Sequence, residues 1–402
     1  MPQRILAAIT LLSTFASAGA FPIRFVVSVP ENTPDKPIYI VGSHPNLGEW
    51  RPDAVFITRN LEGRYEITLD LPAGDYEYKF TRGGWPSVEK SETNTDVPNR
   101  TLKVTGPMKV EVKVANWAGV DPVRKSTVTG ELRFHKDVTS RFLPNARTIA
   151  VWLPPGYDTD AERRYPVFYM HDGQNLFDAA TSAFGVEWRA DETADRLIRE
   201  KKIEPIIIVG AWNTQSRTDE YTPDRDTERD AGGQGDNYAK FIIEELKPMI
   251  DRTYRTKPDR DNTAIGGSSL GGLISLHIAM EHPDVFSKCA AVSPTLMWED
   301  DAILKRIREI KAKPLRRIRL WFDMGAKEGG QIDFYSTAMR KTDTLESMLR
   351  KAKRKPDVDY KYLKVDDGEH NEASWAKRFD QILLFLFPAD PSTAANADNA
   401  QE

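Results

Sequence analysis

The fold of the larger part of this chain is decided by the stretch Thr263-Ala264-Ile265-Gly266-Gly267-Ser268-Ser269-Leu270-Gly271-Gly272. Residues 263–266 predict a short strand and residues 273–281 a helix. Between them the sequence matches G-x-S-x-G with Ser269 at its centre, a turn that lifts a serine hydroxyl out of a sheet. Ser269 is therefore the predicted nucleophile, and the N–H of Leu270, at the helix N-terminus, is one predicted oxyanion donor. The alternative is an ordinary Gly/Ser turn.

Strands and helices alternate on both sides of this turn. The apolar run at 205–210 is typical of a strand that is covered on both faces. Further strands are predicted at 148–153, 167–170 and 319–323, and helices at 238–254, 334–351 and 375–387. This alternation predicts, for residues 130–388, an α/β fold with a mostly parallel sheet flanked by helices. The turn at Ser269 places that fold in the α/β-hydrolase class.

A serine nucleophile needs a base, and the chain has six histidines. In α/β-hydrolases the serine comes first in the chain, the acid second and the histidine last. His277 and His282 belong to the helix after the serine turn and to its end, whereas His370 lies in a loop directly before the final predicted helix. His370 is therefore the predicted base, and the alternative is an exposed loop histidine.

The acid should lie between Ser269 and His370, after a strand. Glu328 follows the predicted strand 319–323 and is the first choice, with Asp323 and Asp333 left open. Its role would be to orient the imidazole and to stabilise the imidazolium.

The second oxyanion donor should come from a loop after an early strand, which is the loop 171–177. The backbone N–H of Gln174 or Asn175 is the candidate, while His171 and Asp172 are expected to shape the loop.

Residues 130–388 resemble the Putative esterase (esterase D-like) family of α/β-hydrolases. That family includes feruloyl and acetyl-xylan esterases, siderophore (enterochelin) esterases and S-formylglutathione hydrolases. The residues that carry the resemblance are 169–177, 220–223, the turn at Ser269, Ser293-Pro294 and 368–370. The resemblance implies a triad of Ser269, Glu328 and His370. Many members have aspartate where this chain has Glu328.

Residues 21–115 consist of short alternating stretches separated by Gly, Pro and Asn turns, which predicts a β-sandwich. Residues 116–129 are the predicted linker. The segments 41–50, 76–80 and 98–100 resemble the starch-binding carbohydrate-binding module family 20. The resemblance implies that Trp50 and Trp85 stack on sugar rings. Trp85 stands farther upstream of residues 98–100 than is usual in such modules, and the alternative is that Trp50 packs as a structural residue.

The composition of the 402-residue chain limits its class. Hydrophobic residues make up 40% of the chain, which indicates a globular protein. The formal net charge is −4 and does not suggest nucleic-acid binding, which would call for a basic patch on the protein. Residues 1–20 predict a cleaved signal peptide, so a secreted or periplasmic protein without a membrane anchor is expected. The tail 389–402 is predicted to be disordered. The single cysteine, Cys289, is expected to be a buried thiol.

The expected function is that of a secreted serine carboxylic-ester hydrolase that forms an acyl-serine intermediate. Acetyl or feruloyl esters of carbohydrates are the expected substrates, with a glucan or other carbohydrate at the N-terminal domain. One alternative is a siderophore esterase, which an arginine cluster including Arg217 and Arg225 would favour. Another is a non-catalytic carbohydrate-binding protein. Acyl transfer to a sugar stays open as well. The mechanism calls for no cofactor and no metal.

Overall fold

A computed structural model describes residues 19–33, 37–59, 64–120, 125–183, 185–328 and 332–389, apart from the side chains at 332–336. The predicted signal peptide, except for its last two residues, and the tail from 390 lie outside the described residues. The chain divides into two compact units, Met1–Arg124 and Lys125–Glu402.

The first unit is a β-sandwich, as the sequence predicts. Its strands are β1 (Phe21–Ser28), β2 (Ile38–Gly42), β3 (Val55–Arg59), β4 (Tyr65–Leu71), β5 (Gly74–Thr81), β6 (Glu89–Lys90), β7 (Arg100–Val104), β8 (Met108–Lys113) and β9 (Asn116–Trp117). Seven of them follow the order β7-β5-β2-β3-β4-β1-β8, in which β3 pairs with both β2 and β4. Alternate residues such as Phe25, Ile40 and Phe80 meet in one buried core.

The predicted linker begins too early. Asn116 and Trp117 form β9, which pairs with β6, and the Trp117 side chain is fully buried in the core of the first unit. The Trp117 indole N–H donates to the Thr33 hydroxyl at 3.0 Å. The two-residue strand is too short for an alternating pattern to reveal it, so a loop was predicted where the sandwich still continues.

The second unit is built on an eight-stranded sheet. Its strands are β10 (Glu131–Val138), β11 (Arg147–Leu153), β12 (Val167–His171), β13 (Ile207–Ala211), β16 (Thr263–Ser268), β17 (Lys288–Val292), β18 (Arg319–Gly325) and β19 (Tyr360–Val365), and a separate hairpin holds β14 (Arg225–Asp226) and β15 (Ala231–Gly232). The order is β10-β11-β13-β12-β16-β17-β18-β19. From β13 to β19 every neighbouring pair is parallel, while β10, β11 and β13 pair antiparallel.

Helices cover both faces of this sheet. They are α1 (Ala190–Arg199), α2 (Arg217–Glu220), α3 (Gly235–Lys240), α4 (Lys247–Thr253), α5 (Leu270–Glu281), α6 (Trp298–Glu309), α7 (Ile332–Lys351) and α8 (Glu372–Leu386), with a π-helical turn (Phe241–Leu246) between α3 and α4. Strand β12 illustrates the two cores: Val167 and Tyr169 pack into one, and Phe168 and Met170 into the other. The predicted α/β-hydrolase class is confirmed.

Three strands of this sheet were not predicted. The edge strands β10 and β19 carry charged and half-buried residues, and β17 is short and rich in alanine. Cys289, in β17, is fully buried, as expected. Because the carboxyl ends of parallel strands meet at one edge of a sheet, the loops after β12, β13 and β16–β19 converge there. Within the described part of the chain, none of the helices has the length and apolarity needed to cross a bilayer.

Candidate active site

The turn after β16 holds Ser269 in a backbone conformation that few residues adopt. Its φ is 59° and its ψ is −122°, and its N–H donates to the Val292 carbonyl at 3.0 Å. Helix α5 starts at the next residue, so the serine stands at a helix N-terminus. A Cβ at Gly272 would lie 2.9 Å from the Val292 carbonyl oxygen, which explains why the turn needs glycine there. Strain concentrated on one half-buried serine is characteristic of a nucleophile turn.

His370 and Glu328 form a hydrogen-bonded pair at the same edge of the sheet. The distance between His370 Nδ1 and Glu328 Oε2 is 3.0 Å. Glu328 is 2% exposed, whereas the side chain of His370 is about a third exposed. Since Nδ1 faces the carboxylate, Nε2 is the nitrogen left to act on a substrate or a nucleophile. Glu328 follows β18 and His370 follows β19. Ser269 follows β16, which lies two strands from β18 and three from β19.

The other two acids are not in this position. Asp323 is fully buried and accepts hydrogen bonds from the Ser293 N–H at 3.1 Å and from Arg378 at 2.9 Å. It therefore supports the interior of the sheet rather than the imidazole. Asp333 lies among the residues whose side chains the structure does not describe. Of the described acids, Glu328 is the one that contacts His370.

The two amides proposed for the second oxyanion donor differ in availability. The Asn175 N–H donates to the Asp172 carbonyl at 2.9 Å, so it is already used within the turn. This leaves the N–H of Gln174, whose side-chain oxygen accepts from the Asn213 N–H at 3.2 Å. On the other side, the N–H of Leu270 belongs to the first turn of α5, where amides have no partner within the helix.

In the first unit, Trp50 lines an open groove of about 540 Å³ together with Tyr76, Glu77 and Lys103. Trp50 is half-buried and has a φ of 61°, so its backbone is fixed in a tight turn. Trp85 is not among the lining residues of this groove; it lies in a separate turn and is 44% exposed. The structure thus gives the two predicted sugar-binding tryptophans different surroundings.

Comparison with known proteins shows which families the two parts of this chain match. The family model described as "Putative esterase" matches residues 140–386. This chain belongs to that family. A second family model, described as "Starch binding domain", matches residues 20–114. Both resemblances seen in the sequence are confirmed.

Three curated relatives each match part of this chain. The ferri-bacillibactin esterase BesA of Bacillus subtilis is 30% identical over 160 residues, which are 35% of this chain and 52% of BesA. An endo-1,4-beta-xylanase/feruloyl esterase of Xylanibacter ruminicola is 31% identical over 145 residues, 35% of this chain and 18% of that protein. An alpha-amylase of Niallia circulans is 42% identical over 98 residues, 24% of this chain and 8% of the amylase. The chain therefore spans about half the length of BesA and less than a fifth of the length of the feruloyl esterase and of the amylase.

A buried polar network holds the Glu328 carboxylate in place. Arg378 in α8, 2% exposed, donates to Asp323 and to the Ser293 hydroxyl at 2.8 Å, and Ser293 donates to Glu328 Oε1. The Trp375 indole N–H also donates to the Ser293 hydroxyl, and the indole ring meets the His370 ring edge-on at 5.1 Å. Arg378 was missed in the sequence. Its position between Trp375 and Phe379, on an apolar helix face, was the available signal.

His171 and Asp172 are both buried and are held by contacts within the loop region. His171 is buried beneath the serine turn, and its Nδ1 lies 2.9 Å from the Tyr238 hydroxyl. Burial lowers the pKa of His171 to about 3, so the ring is neutral at pH 7. Asp172 accepts a two-pronged ion pair from Arg217, at 2.7 and 2.8 Å.

The buried His171 predicts acid sensitivity. The pKa of His171 in the folded state lies below its value in the unfolded state. The stability that His171 contributes is therefore present above pH 6.5 and is lost as the pH falls towards 3. The loss is about 1.4 kcal/mol for each pH unit. The free energy of unfolding in urea should be measured from pH 7 to pH 4. Its slope against pH should be smaller in His171→Gln than in the wild type, by the amount that corresponds to the uptake of about one proton on unfolding. His282→Gln, at the end of α5, is the control and should keep the wild-type slope. An unchanged slope in His171→Gln would contradict the burial argument.

Proposed function

We propose that this esterase is a serine carboxylic-ester hydrolase in which Ser269 is the nucleophile, His370 the base and Glu328 the acid. The observation that carries the proposal is the 3.0 Å contact between His370 and the buried Glu328, two strands away from a strained serine at the same sheet edge. A buried carboxylate that orients an imidazole, with a serine turn at a helix N-terminus on the same sheet edge, supplies the three groups that acyl transfer needs.

The reaction would proceed in two halves. In the first, Nε2 of His370 takes the proton of Ser269 as its Oγ attacks the ester carbonyl, and the imidazolium then protonates the departing alcohol. The N–H groups of Leu270 and Gln174 would stabilise the oxyanion, at about 10²–10³-fold in rate for one donor. In the second half, His370 activates water, which releases the acid from Ser269. Glu328 would hold the ring and stabilise its positive charge throughout.

Acyl esters of carbohydrates, of the acetyl or feruloyl type, are the proposed substrates. Support comes from the starch-binding-type domain at residues 20–114, from the Trp50 groove and from the similarity to a xylanase/feruloyl esterase. A flat indole beside polar side chains is the surface that sugar rings favour, because their C–H faces stack on aromatic rings. Secretion or a periplasmic location is proposed from the signal-peptide pattern at residues 1–20.

Siderophore ester hydrolysis is the second candidate, and the similarity to BesA favours it. The arginines that would attract an anionic siderophore are already paired, however. Arg217 is bound to Asp172, and Arg225 to Asp230. Carbohydrate esters are therefore placed first. A non-catalytic carbohydrate-binding protein and a sugar acyltransferase are outcomes that the following tests separate from a hydrolase.

A panel of acetyl, feruloyl and catecholate esters tests mechanism and substrate class together. Ser269→Ala should lose turnover of every ester and labelling by a fluorophosphonate, because no nucleophilic hydroxyl remains at the turn. Ser268→Ala is the matched control and should keep both. Preference for feruloyl or acetyl sugars supports the first candidate, and preference for catecholates the second. Unlabelled wild type would indicate a binding protein, and acyl-sugar products formed with free sugar would indicate a transferase.

Glu328→Gln should lower kcat by about 10³–10⁴-fold, since the amide cannot stabilise the imidazolium. Asp323→Asn should instead cost about 3–5 kcal/mol of stability, because it removes the charge of the carboxylate nearest to the buried Arg378. The measurements are kcat on one soluble ester and the free energy of unfolding of both variants. Two results would contradict the assignment of Glu328 as the acid. One is a folded Asp323→Asn variant that is as inactive as Glu328→Gln, and the other is a Glu328→Gln variant that keeps more than a tenth of the wild-type kcat.

Trp50→Ala should weaken binding to soluble starch about tenfold, equivalent to about 1.4 kcal/mol, through loss of the stacking surface. Phe56→Ala removes an exposed aromatic ring from β3 that does not line the groove and should bind as the wild type does. Affinity electrophoresis in starch gels measures both. Equal retardation of Trp50→Ala and wild type would exclude this groove as the glucan site.

A further inference from the structure

Three carboxylates meet at the beginning of α1, and none of them belongs to the proposed triad. Glu187, Asp191 and Glu192 each place a carboxylate oxygen within 4.8 Å of the others. Glu187 is 5% exposed, Asp191 is fully buried, and Glu192 is half-buried. Like charges this close repel one another strongly where solvent is scarce, so the cluster calls for a compensating group.

Among the described residues, each carboxylate accepts a hydrogen bond through one of its two oxygens. Glu187 Oε1 accepts from the Thr127 hydroxyl, Asp191 Oδ2 from the Thr129 N–H at 2.6 Å, and Glu192 Oε1 from Arg189 at 3.4 Å. The second oxygen of each, Glu187 Oε2, Asp191 Oδ1 and Glu192 Oε2, is buried and has no hydrogen-bond donor among the described residues. Buried polar atoms are nearly always satisfied, so three neighbouring exceptions indicate a missing ligand.

We propose that Glu187, Asp191 and Glu192 bind a calcium ion through these three oxygens. An all-oxygen, carboxylate-rich donor set suits a hard cation, whereas zinc prefers histidine and cysteine. Calcium bonds to oxygen at about 2.3–2.6 Å, so oxygens on opposite sides of the ion lie up to about 5 Å apart. Magnesium keeps several of its waters and is usually held by one or two carboxylates, so a set of three carboxylates suits calcium better. Water molecules would complete the coordination.

Shared protons are the competing explanation. Burial raises the pKa of Glu187 to about 7, and burial together with the neighbouring Glu192 raises that of Asp191 above its usual range. Without a cation, the cluster would therefore hold protons near neutral pH. The two explanations differ in whether calcium binds at all.

The site would brace the loop that carries Gln174. The Trp188 N–H donates to the Asn175 carbonyl at 2.9 Å, and the Ala190 N–H donates to the Leu176 carbonyl at 3.0 Å. A cation held by Glu187 and Asp191 would thus fix the segment that borders the loop. The sequence offered no motif for it, because Glu-x-x-x-Asp-Glu is not a recognised calcium-binding spacing, and no metal was expected.

The test is calcium titration of the full-length protein after treatment with EDTA, followed by calorimetry. One ion per chain should bind, and Tm should rise with calcium concentration until the site is full. Terbium should give luminescence sensitised by the adjacent Trp188, and excess calcium should displace it. Asp191→Asn should weaken calcium binding at least tenfold, whereas Asp195→Asn, whose carboxylate pairs with Arg199 on the same helix, should not.

Absence of calcium binding and of a Tm shift at millimolar calcium would overturn the proposal in favour of shared protons. Binding that survives in Asp191→Asn would overturn this location for the site. If Asp191→Asn does not fold, Glu192→Gln at the half-buried edge serves the same comparison. Because the readouts are binding and Tm rather than turnover, the result is independent of the role of Ser269.

Discussion

The contact between Glu328 and His370 is the constraint on which the rest of the site depends. A carboxylate that is 2% exposed is costly unless charged or polar groups surround it. Here the imidazole, the Gly325 N–H and the Ser293 hydroxyl meet it, with Arg378 behind. These partners meet only when helix α8 and strands β17, β18 and β19 are correctly packed. The orientation of His370 therefore depends on the packing of the sheet.

Much of this architecture could be predicted from the sequence, because its signals are local. The turn at Ser269 combines glycine spacing with a strand before it and a helix after it, and these are visible in ten residues. His370 followed from chain order. The choice of Glu328 over Asp323 and Asp333 stayed open, because it depends on which carboxylate lies beside the ring. The structure brings Glu328 to His370 and turns Asp323 towards Arg378; the catalytic roles themselves stay predictions.

What the sequence could not reveal depends on distant partners. Strands β17 and β19 are held mainly by their neighbours in the sheet rather than by a pattern of their own. Arg378 looks like an ordinary helix residue until its partners Ser293 and Asp323, 85 and 55 positions away, are known. Trp117 was assigned to a linker because the two-residue β9 has no recognisable period, although its indole completes the core of the first unit.

The most direct measurement is a rapid-quench reaction with an activated acetyl ester, followed by mass analysis of the intact protein and of its peptides. The account predicts a burst of released alcohol close to one per chain. It also predicts one added acetyl group on the peptide that contains Ser269, which disappears as the substrate is consumed. Turnover without any acetylated protein, or acetyl found on another residue at the same rate as turnover, would contradict it.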